Sequence, residues 1–209
     1  MKRATGLDHL TMLDVAPPEF VGLAAAAGFS TVGLRIAPVT PGEEAWPVLP
    51  GSPMLAETLR RLTDTGVRVL CAEAIAVGAG RDIATAEPVI EAAAALGARY
   101  INVTCDDPDT ARFAAMFATV ADLARPYGVR PVVEFMAFRP VRSLATAVSI
   151  ARGSDGGAVL LDTLHIYRCG VTAGELAGLD PGLLSYLQIC DAPLRPPRGL
   201  RATAPLPRG

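Results

Sequence analysis

The stretch AAAAGFSTVGLR, residues 24–35, joins an Ala-rich helix end through one glycine to a short β-branched run and then a polar residue. The same arrangement returns in LTDTGVRVLCAE (62–73), AAALGARYINVTCDD (93–107), ARPYGVRPVVEF (124–135) and SDGGAVLLDTLH (154–165). Glycine directly after a helix is typical of a left-handed cap, where a Cβ atom is disfavoured. The apolar runs are typical of parallel strands covered by helices. The repeat therefore predicts alternating helices and parallel strands.

The repeat and its flanking residues predict seven strands, at Leu7–Met12, Thr31–Ile36, Val67–Ile75, Tyr100–Thr104, Arg130–Met136, Ala158–Leu164 and Leu184–Cys190. Predicted helix starts agree with them. Ser52-Pro53, Asp107-Pro108 and Thr172 supply N-caps, and Pro88 falls in the first turn of a helix that begins near Thr85. This alternation of strands and helices is typical of a (β/α) barrel or of an open doubly wound sheet.

Polar residues at the strand ends favour the barrel. They lie at or near the C-terminal ends of six different strands, at Arg35, Glu73, Asp106, Glu134, Asp162 and Gln188. A barrel gathers these ends around one mouth, whereas an open sheet usually carries a Gly-rich phosphate loop after its first strand. The segment after the first strand, LTMLDVAPPEF, has no such loop. The sequence therefore predicts an α/β fold, a TIM-type (β/α) barrel domain over residues 1–192.

The eighth strand and helix of such a barrel have no counterpart in the sequence. Residues 193–209 contain five prolines, four arginines and no apolar period, which predicts an irregular tail. A barrel with seven of eight strands leaves two sheet edges open, and open edges on buried strands promote association. We expect either that the chain is truncated or that something else occupies the place of the eighth strand and helix. The two open edges also favour a homo-oligomer.

The composition excludes several partners. The chain carries 19 Lys+Arg against 21 Asp+Glu, a net charge of −2, so nothing favours nucleic acid or an anionic membrane. No stretch is apolar enough for a membrane span or a secretory signal, and a cytoplasmic enzyme is the expectation. The four cysteines form no C-x-x-C pair, which predicts buried reduced thiols.

Three polar side chains on the last three predicted strands form the candidate metal site. Glu134, Asp162 and Gln188 each alternate with apolar residues of the same strand face, so their tips should converge at the mouth. Two neighbouring carboxylates stay ionised only with a cation or proton between them, and these oxygen donors suit Mg²⁺ or Mn²⁺. For any one of them, helix capping or pairing with an arginine is the structural alternative. His9 is interpreted as structural or substrate-lining, without preference.

These residues carry a family resemblance. VVEFMAF (132–138), LLDTLHIYRCG (160–170), LQICDAP (187–193) and LTMLDVAPPEFVGLAAAAGFSTVGLR (10–35) resemble the sugar phosphate isomerase/epimerase family of xylose-isomerase-like TIM barrels. The resemblance implies one divalent metal held by Glu134, Asp162 and Gln188, with His165 contacting the substrate. It also implies a fourth ligand, a strand-eight glutamate, which is absent here. In those isomerases two glutamates flank the substrate carbon and relay its proton.

The function expected on this basis is a divalent-metal-dependent isomerase or epimerase of a small sugar, sugar phosphate or other α-hydroxy carbonyl compound, acting through an enediolate. Glu134 is the candidate general base, and His165 stabilises the developing oxygen or returns a proton. Glu73 is a candidate for binding substrate hydroxyls. Arg139 and Arg168 are candidates for binding a substrate carboxylate or phosphate, or else ordinary salt-bridge residues.

Two other functions remain open at this point. One is a catalytically impaired, truncated barrel that acts as a binding or partner protein. The other is a lyase similar to 3-dehydroshikimate dehydratases, because the same enediolate chemistry serves it. The endonuclease branch of the superfamily is disfavoured, since its multi-zinc cluster is rich in histidine and this chain has two histidines.

Overall fold

Seven parallel strands build the sheet of this protein, for which a computed structural model describes residues 5–39, 43, 46–78 and 82–191. Each strand pairs in parallel with the next one along the chain. The strands are β1 Gly6–Asp8, β2 Thr31–Arg35, β3 Arg68–Val77, β4 Tyr100–Cys105, β5 Arg130–Glu134, β6 Ala158–Asp162 and β7 Leu184–Gln188. The predicted incomplete TIM-type barrel is confirmed; the predicted tail, 193–209, lies outside the described residues.

Helices connect the strands on the outer side of the sheet. They are α1 Pro17–Ala26, α2 Pro53–Thr65, α3 Glu87–Ala95, α4 Thr110–Ala124, α5 Leu144–Arg152, α6 Thr163–Arg168 and α7 Ala173–Ala177. Ser52 and Thr172 cap α2 and α7 as predicted. Asp107 does not cap α4; Asp109 does, because the Asp107 carboxylate accepts hydrogen bonds from the Asp109 backbone and the Arg112 guanidinium instead.

Five of the seven strands end earlier than the sequence predicts, whereas β3 and β4 end one or two residues later. The predicted first strand, Leu7–Met12, is wrong beyond Asp8, because Asp8 accepts a hydrogen bond from the Leu10 backbone and starts a 3₁₀ turn, His9–Met12. His9 lies fully buried in that turn. Its Nδ1 accepts the Arg35 backbone N–H, and its Nε2 lies 2.8 Å from the Val15 carbonyl oxygen, so the residue is structural.

Two apolar layers hold the sheet in place. The outer one lies between strands and helices and includes four fully buried phenylalanines, Phe20, Phe113, Phe117 and Phe135. The inner one fills the barrel with Cys71, Tyr100, Val132, Ala158 and Leu160. Val132 and Leu160 stand two residues before Glu134 and Asp162 on the same strand faces, so both carboxylates rest on this inner layer at the mouth.

Strands β1 and β7 form the two edges of the described sheet. On β7 and just beyond it, Leu187 and Ile189 are 52% and 81% exposed. The two edges nevertheless meet at the mouth, because Gln188 Nε2 lies 3.1 Å from Asp8 Oδ2. The sheet therefore curls far enough for its first and last strands to share contacts. Among the described helices, none has the length and apolar character to cross a bilayer.

Candidate active site

Three buried side chains converge where β5 and β6 end. Glu134 is the last residue of β5, Asp162 the last of β6, and His165 lies on α6 immediately after it. They are 5%, 7% and 6% exposed, and one potential ligand atom from each lies within 4.8 Å of the others. His165 Nε2 is 3.6 Å from Glu134 Oε1. Such a set of two carboxylates and one imidazole is typical of a divalent metal site.

Asp162 is held by its role as the N-cap of α6. Its Oδ1 accepts the backbone N–H of Leu164 at 2.7 Å, which ends β6 and starts the helix. This cap places His165 in the first turn, on the same side as the carboxylate. Cys190 donates its thiol to both Asp162 oxygens, at 3.1 and 3.3 Å. Burial, followed by the bond to Asp162, raises the pKa of Cys190 to about 11, so the thiol remains a donor at neutral pH.

Glu134 lies in an environment that disfavours its charge. Burial raises the pKa of Glu134 to about 8, and the negative charges of Asp162 and Asp8 add to this effect. Asn102 Nδ2, which donates to Glu134 Oε2 at 2.8 Å, and the more distant Arg35 act in the opposite direction. Buried carboxylates with this little compensation are those that a cation stabilises.

The unused polar atoms fit a bound cation. Burial lowers the pKa of His165, so its imidazole is neutral and able to act as a ligand. Its Nδ1 and the Asn102 Oδ1 are both buried and have no hydrogen-bond partner among the described residues. Buried polar atoms are normally paired, so two such atoms beside two carboxyls indicate a bound group. The residues present therefore fit a divalent metal.

Gln188, Asp8 and Glu73 form a second polar cluster at the mouth. Gln188 Nε2 donates to Asp8 Oδ2 and to Glu73 Oε1, at 3.1 Å each. Arg35 Nη2 lies 3.4 Å from Glu73 Oε2. Burial, and then the charge of Asp8, raises the pKa of Glu73 well above its usual range. The structure thus brings Glu134, Asp162 and His165 together and places the Gln188 amide with Asp8 and Glu73; metal ligation by Gln188 stays a prediction.

Gly33 on β2 makes room for the second cluster. A Cβ atom at this position would lie 2.7 Å from Asp8 Oδ2 and 2.9 Å from Cys71 Sγ. Both distances are shorter than van der Waals contact, so an added Cβ atom would force the Asp8 carboxylate and the Cys71 thiol to shift.

The two predicted anion-binding arginines lie on the segments that follow the carboxylates. Arg139, 13% exposed at its side chain, forms an ion pair with Asp106. Arg168 is the half-buried last residue of α6. Their contact with substrate stays a prediction. The exposed ring of Phe138, next to Arg139 in the sequence, meets His165 edge-on, with ring centroids 5.4 Å apart.

Two site residues, Asn102 and Asp8, are missing from the sequence prediction. Asn102 is the polar residue inside the fully buried strand YINVTC (100–105), and Asp8 ends the first strand. The criterion that finds Glu134 and Asp162, a polar side chain within or at the end of a buried strand, would have found Asn102. It would not have found Asp8, because β1 is exposed to half-buried and ends at a turn that the sequence does not predict.

All four cysteines are free. Cys71 and Cys105 are buried as predicted, whereas Cys169 is half-buried. Cys190, just beyond the edge strand β7, is exposed as a residue, but its thiol is directed onto Asp162 and is partly buried there.

Solved structures of other proteins share this fold. No curated protein matches the sequence significantly. Among solved structures, a xylose isomerase domain-containing protein of Salmonella typhimurium LT2 is 18% identical, with a TM-score of 0.67 over 90% of this chain and 72% of that one. An IolI protein with a bound zinc atom is 17% identical (TM-score 0.70, 90% and 72% covered). A D-psicose 3-epimerase in the presence of D-fructose is 15% identical (TM-score 0.71, 90% and 73% covered).

At these identities the structural matches show a shared fold. The family follows from the sequence, because residues 21–208 match the model of the xylose isomerase-like TIM barrel family. With nearly the whole sequence matched and seven parallel strands in barrel order, the chain belongs to the xylose isomerase-like TIM barrel family.

Proposed function

We propose that this protein is an isomerase or epimerase of a small sugar or related α-hydroxy carbonyl compound, and that it uses a divalent cation bound by Glu134, Asp162 and His165. The observation that carries the proposal is the convergence of these three buried side chains within 4.8 Å. Family membership supports a sugar isomerase- or epimerase-like enzyme. The fold shared with a D-psicose 3-epimerase and with a zinc-bound IolI protein supports the choice of chemistry.

A divalent cation held by these three residues would supply Lewis acidity, which would polarise a carbonyl group and acidify the neighbouring C–H bond. The protein supplies the base. Glu134 would be the general base, because its buried carboxyl ends β5 beside Asp162 and His165. Asn102 fixes Oε2 of this carboxyl and leaves Oε1 on the side of His165. The neutral imidazole of His165 would bind the cation through one of its two ring nitrogens.

Metal binding is the first test, measured by isothermal titration of Mn²⁺ into chelator-treated protein. Asp162→Asn is the informative variant, because asparagine caps a helix as well as aspartate does, while it removes the charge and one of the two oxygens that accept the Cys190 thiol. Asp155→Asn is the matched control, since Asp155 is 75% exposed at its side chain and forms its ion pair with Arg125 in the part of the chain that the structure describes. We expect the affinity for Mn²⁺ to fall at least 100-fold in Asp162→Asn and to be unchanged in Asp155→Asn. Equal affinity for Mn²⁺ in the wild type, Asp162→Asn and Asp155→Asn would overturn the proposed metal site.

Turnover is the second test, with D-fructose, D-psicose and hydroxypyruvate as probes in the presence of Mn²⁺. We expect interconversion of at least one probe, abolished by chelation and by Glu134→Gln. Binding of Mn²⁺ without turnover of any probe would contradict the enzymatic assignment and would favour a catalytically impaired binding protein.

A further inference from the structure

We propose that Thr104 binds a hydroxyl group of an uncharged sugar, and that this threonine helps to determine which sugar the site accepts. The inference rests on the proposed function, because it names the class of substrate that the same site takes. Thr104 has no part in the proposed metal site.

Strand β4 directs Thr104 into the barrel at its mouth. Successive side chains of a strand lie on opposite faces of the sheet. Tyr100 belongs to the inner apolar layer, and Asn102 donates to Glu134 inside the barrel. The residues that alternate with them belong to the outer layer, namely Ile101, Val103 and Cys105. Thr104 is therefore the last inward-facing residue of β4.

The strand register places Thr104 beside the candidate general base. Val103 pairs with Val133 of β5. One residue further on, Thr104 therefore lies level with Glu134 on the next strand. Neighbouring strands are about 4.8 Å apart, so a molecule that contacts Glu134 is also within reach of Thr104. On the other side Thr104 pairs with Ala76 of β3, whose methyl group forms no hydrogen bond.

The hydroxyl of Thr104 lacks a partner in the part of the chain that the structure describes. Thr104 is 3% exposed, and its Oγ1 is buried with no hydrogen bond to the described residues. Asn102 Oδ1, two residues earlier on the same face, is unpartnered in the same way. Buried hydroxyl groups are normally hydrogen-bonded, so this one indicates a bound polar group. A substrate beside Glu134 supplies that group.

The charges around Thr104 favour an uncharged group. Asp106 lies two residues further along the chain, and Glu134 ends the neighbouring strand. Their carboxyl groups disfavour a phosphate or carboxylate of the substrate at this position. Arg139, in the segment after β5, forms an ion pair with Asp106, so its charge is balanced within the protein. A sugar hydroxyl is uncharged and both donates and accepts a hydrogen bond, as the threonine hydroxyl does.

Sugar binding to the Mn²⁺-loaded protein is the first measurement, by isothermal titration with D-fructose, D-fructose 6-phosphate and a set of singly deoxygenated D-fructoses. Thr104→Val removes the hydroxyl and keeps the shape of the side chain, and Thr104→Ser keeps the hydroxyl. We expect the affinity for D-fructose to fall about tenfold in Thr104→Val and to stay within threefold of the wild type in Thr104→Ser. The affinity for Mn²⁺ should be unchanged in both variants.

The deoxygenated sugars identify the hydroxyl that Thr104 binds. The sugar that lacks this hydroxyl should bind with equal affinity to the wild type and to Thr104→Val, because either change alone already removes the hydrogen bond. The other sugars should keep the tenfold difference between the two proteins. Thr58→Val is the matched control, since Thr58 is fully buried and donates its hydroxyl to the Met54 carbonyl oxygen on α2. This control should leave the affinity for D-fructose unchanged.

Urea unfolding of the sugar-free protein is the second measurement. Removal of a buried hydroxyl without a partner should leave the unfolding midpoint of Thr104→Val at or above that of the wild type. A lower midpoint would show that the hydroxyl is already bonded within the protein and would overturn the inference.

Two binding results would also overturn it while the proposed function stands. One is equal affinity for D-fructose in the wild type and Thr104→Val. The other is binding of D-fructose 6-phosphate at least tenfold tighter than that of D-fructose, because the site would then select an anionic substrate. Binding of Mn²⁺ by the wild type without binding of any sugar would reject the proposed function and, with it, this inference.

Discussion

Replacement of Glu134 by glutamine should remove a large part of the pH dependence of stability in the metal-free protein. Burial raises the pKa of Glu134 to about 8 in the folded chain, from an ordinary value of 4.5. Between these values the folded state keeps a proton that the unfolded state has lost. The stabilising contribution is fully present below pH 4.5 and is lost as the pH rises toward 8. Glutamine is neutral throughout and has no such loss.

The magnitude follows from the width of this window. Each pH unit in which one extra proton is bound to the folded state changes the free energy of unfolding by about 1.4 kcal/mol. Between pH 5 and pH 8 the wild type should therefore lose about 4 kcal/mol relative to Glu134→Gln. This is a large fraction of the total stability of a domain, about 5–15 kcal/mol. Saturating Mn²⁺ should restore the stability of the wild type at pH 8, because the cation favours the carboxylate.

The assay is urea unfolding followed by circular dichroism at pH 5, 6.5 and 8, in the presence of a chelator and then of Mn²⁺. The difference between wild type and Glu134→Gln at each pH cancels the contributions of the groups that do not interact with Glu134. A difference that stays constant within about 1 kcal/mol from pH 5 to pH 8 would refute the reasoning. A wild type that gains stability relative to the variant over this range would refute it more strongly.

Further substitutions test other parts of the structure. Gly33→Ala places a Cβ atom within 2.9 Å of Asp8 and Cys71 and should lower the free energy of unfolding by about 1–3 kcal/mol, measured by urea titration. Thr172→Ala removes the capping box of α7 and should cost about 1 kcal/mol in the same titration, with faster amide exchange confined to that helix. Phe117→Ala opens a cavity in the fully buried outer layer and should cost about 3–5 kcal/mol. An effect below about 1 kcal/mol at Phe117 would contradict the packing described for that layer.

Local sequence signals account for the strands and for part of the site. Glycine after each helix and the apolar runs that follow place the strands, because these signals act within a few residues. Glu134 and Asp162 were predictable because a charged residue that ends a buried strand needs a partner. The double role of Asp162, which caps α6 and faces Glu134, accounts for its position at the end of β6.

Long-range geometry accounts for what the sequence does not predict. The direction of the Gln188 amide depends on the curvature that brings β7 to β1, whose contacting residues are 180 positions apart. No pattern within a few residues of either position indicates the contact between Gln188 and Asp8. The early end of β1 depends on one competing hydrogen bond, from Leu10 to Asp8, which outweighs the strand-like pattern of residues 7–12.

The central claim is that one divalent cation binds Glu134, Asp162 and His165 together. Anomalous diffraction from crystals grown with Mn²⁺ tests it most directly. The account predicts one anomalous peak within about 2.0–2.3 Å of an oxygen of Glu134, an oxygen of Asp162 and a nitrogen of His165. A peak between Asp8 and Glu73 instead, or no peak at the mouth at saturating Mn²⁺, would contradict it.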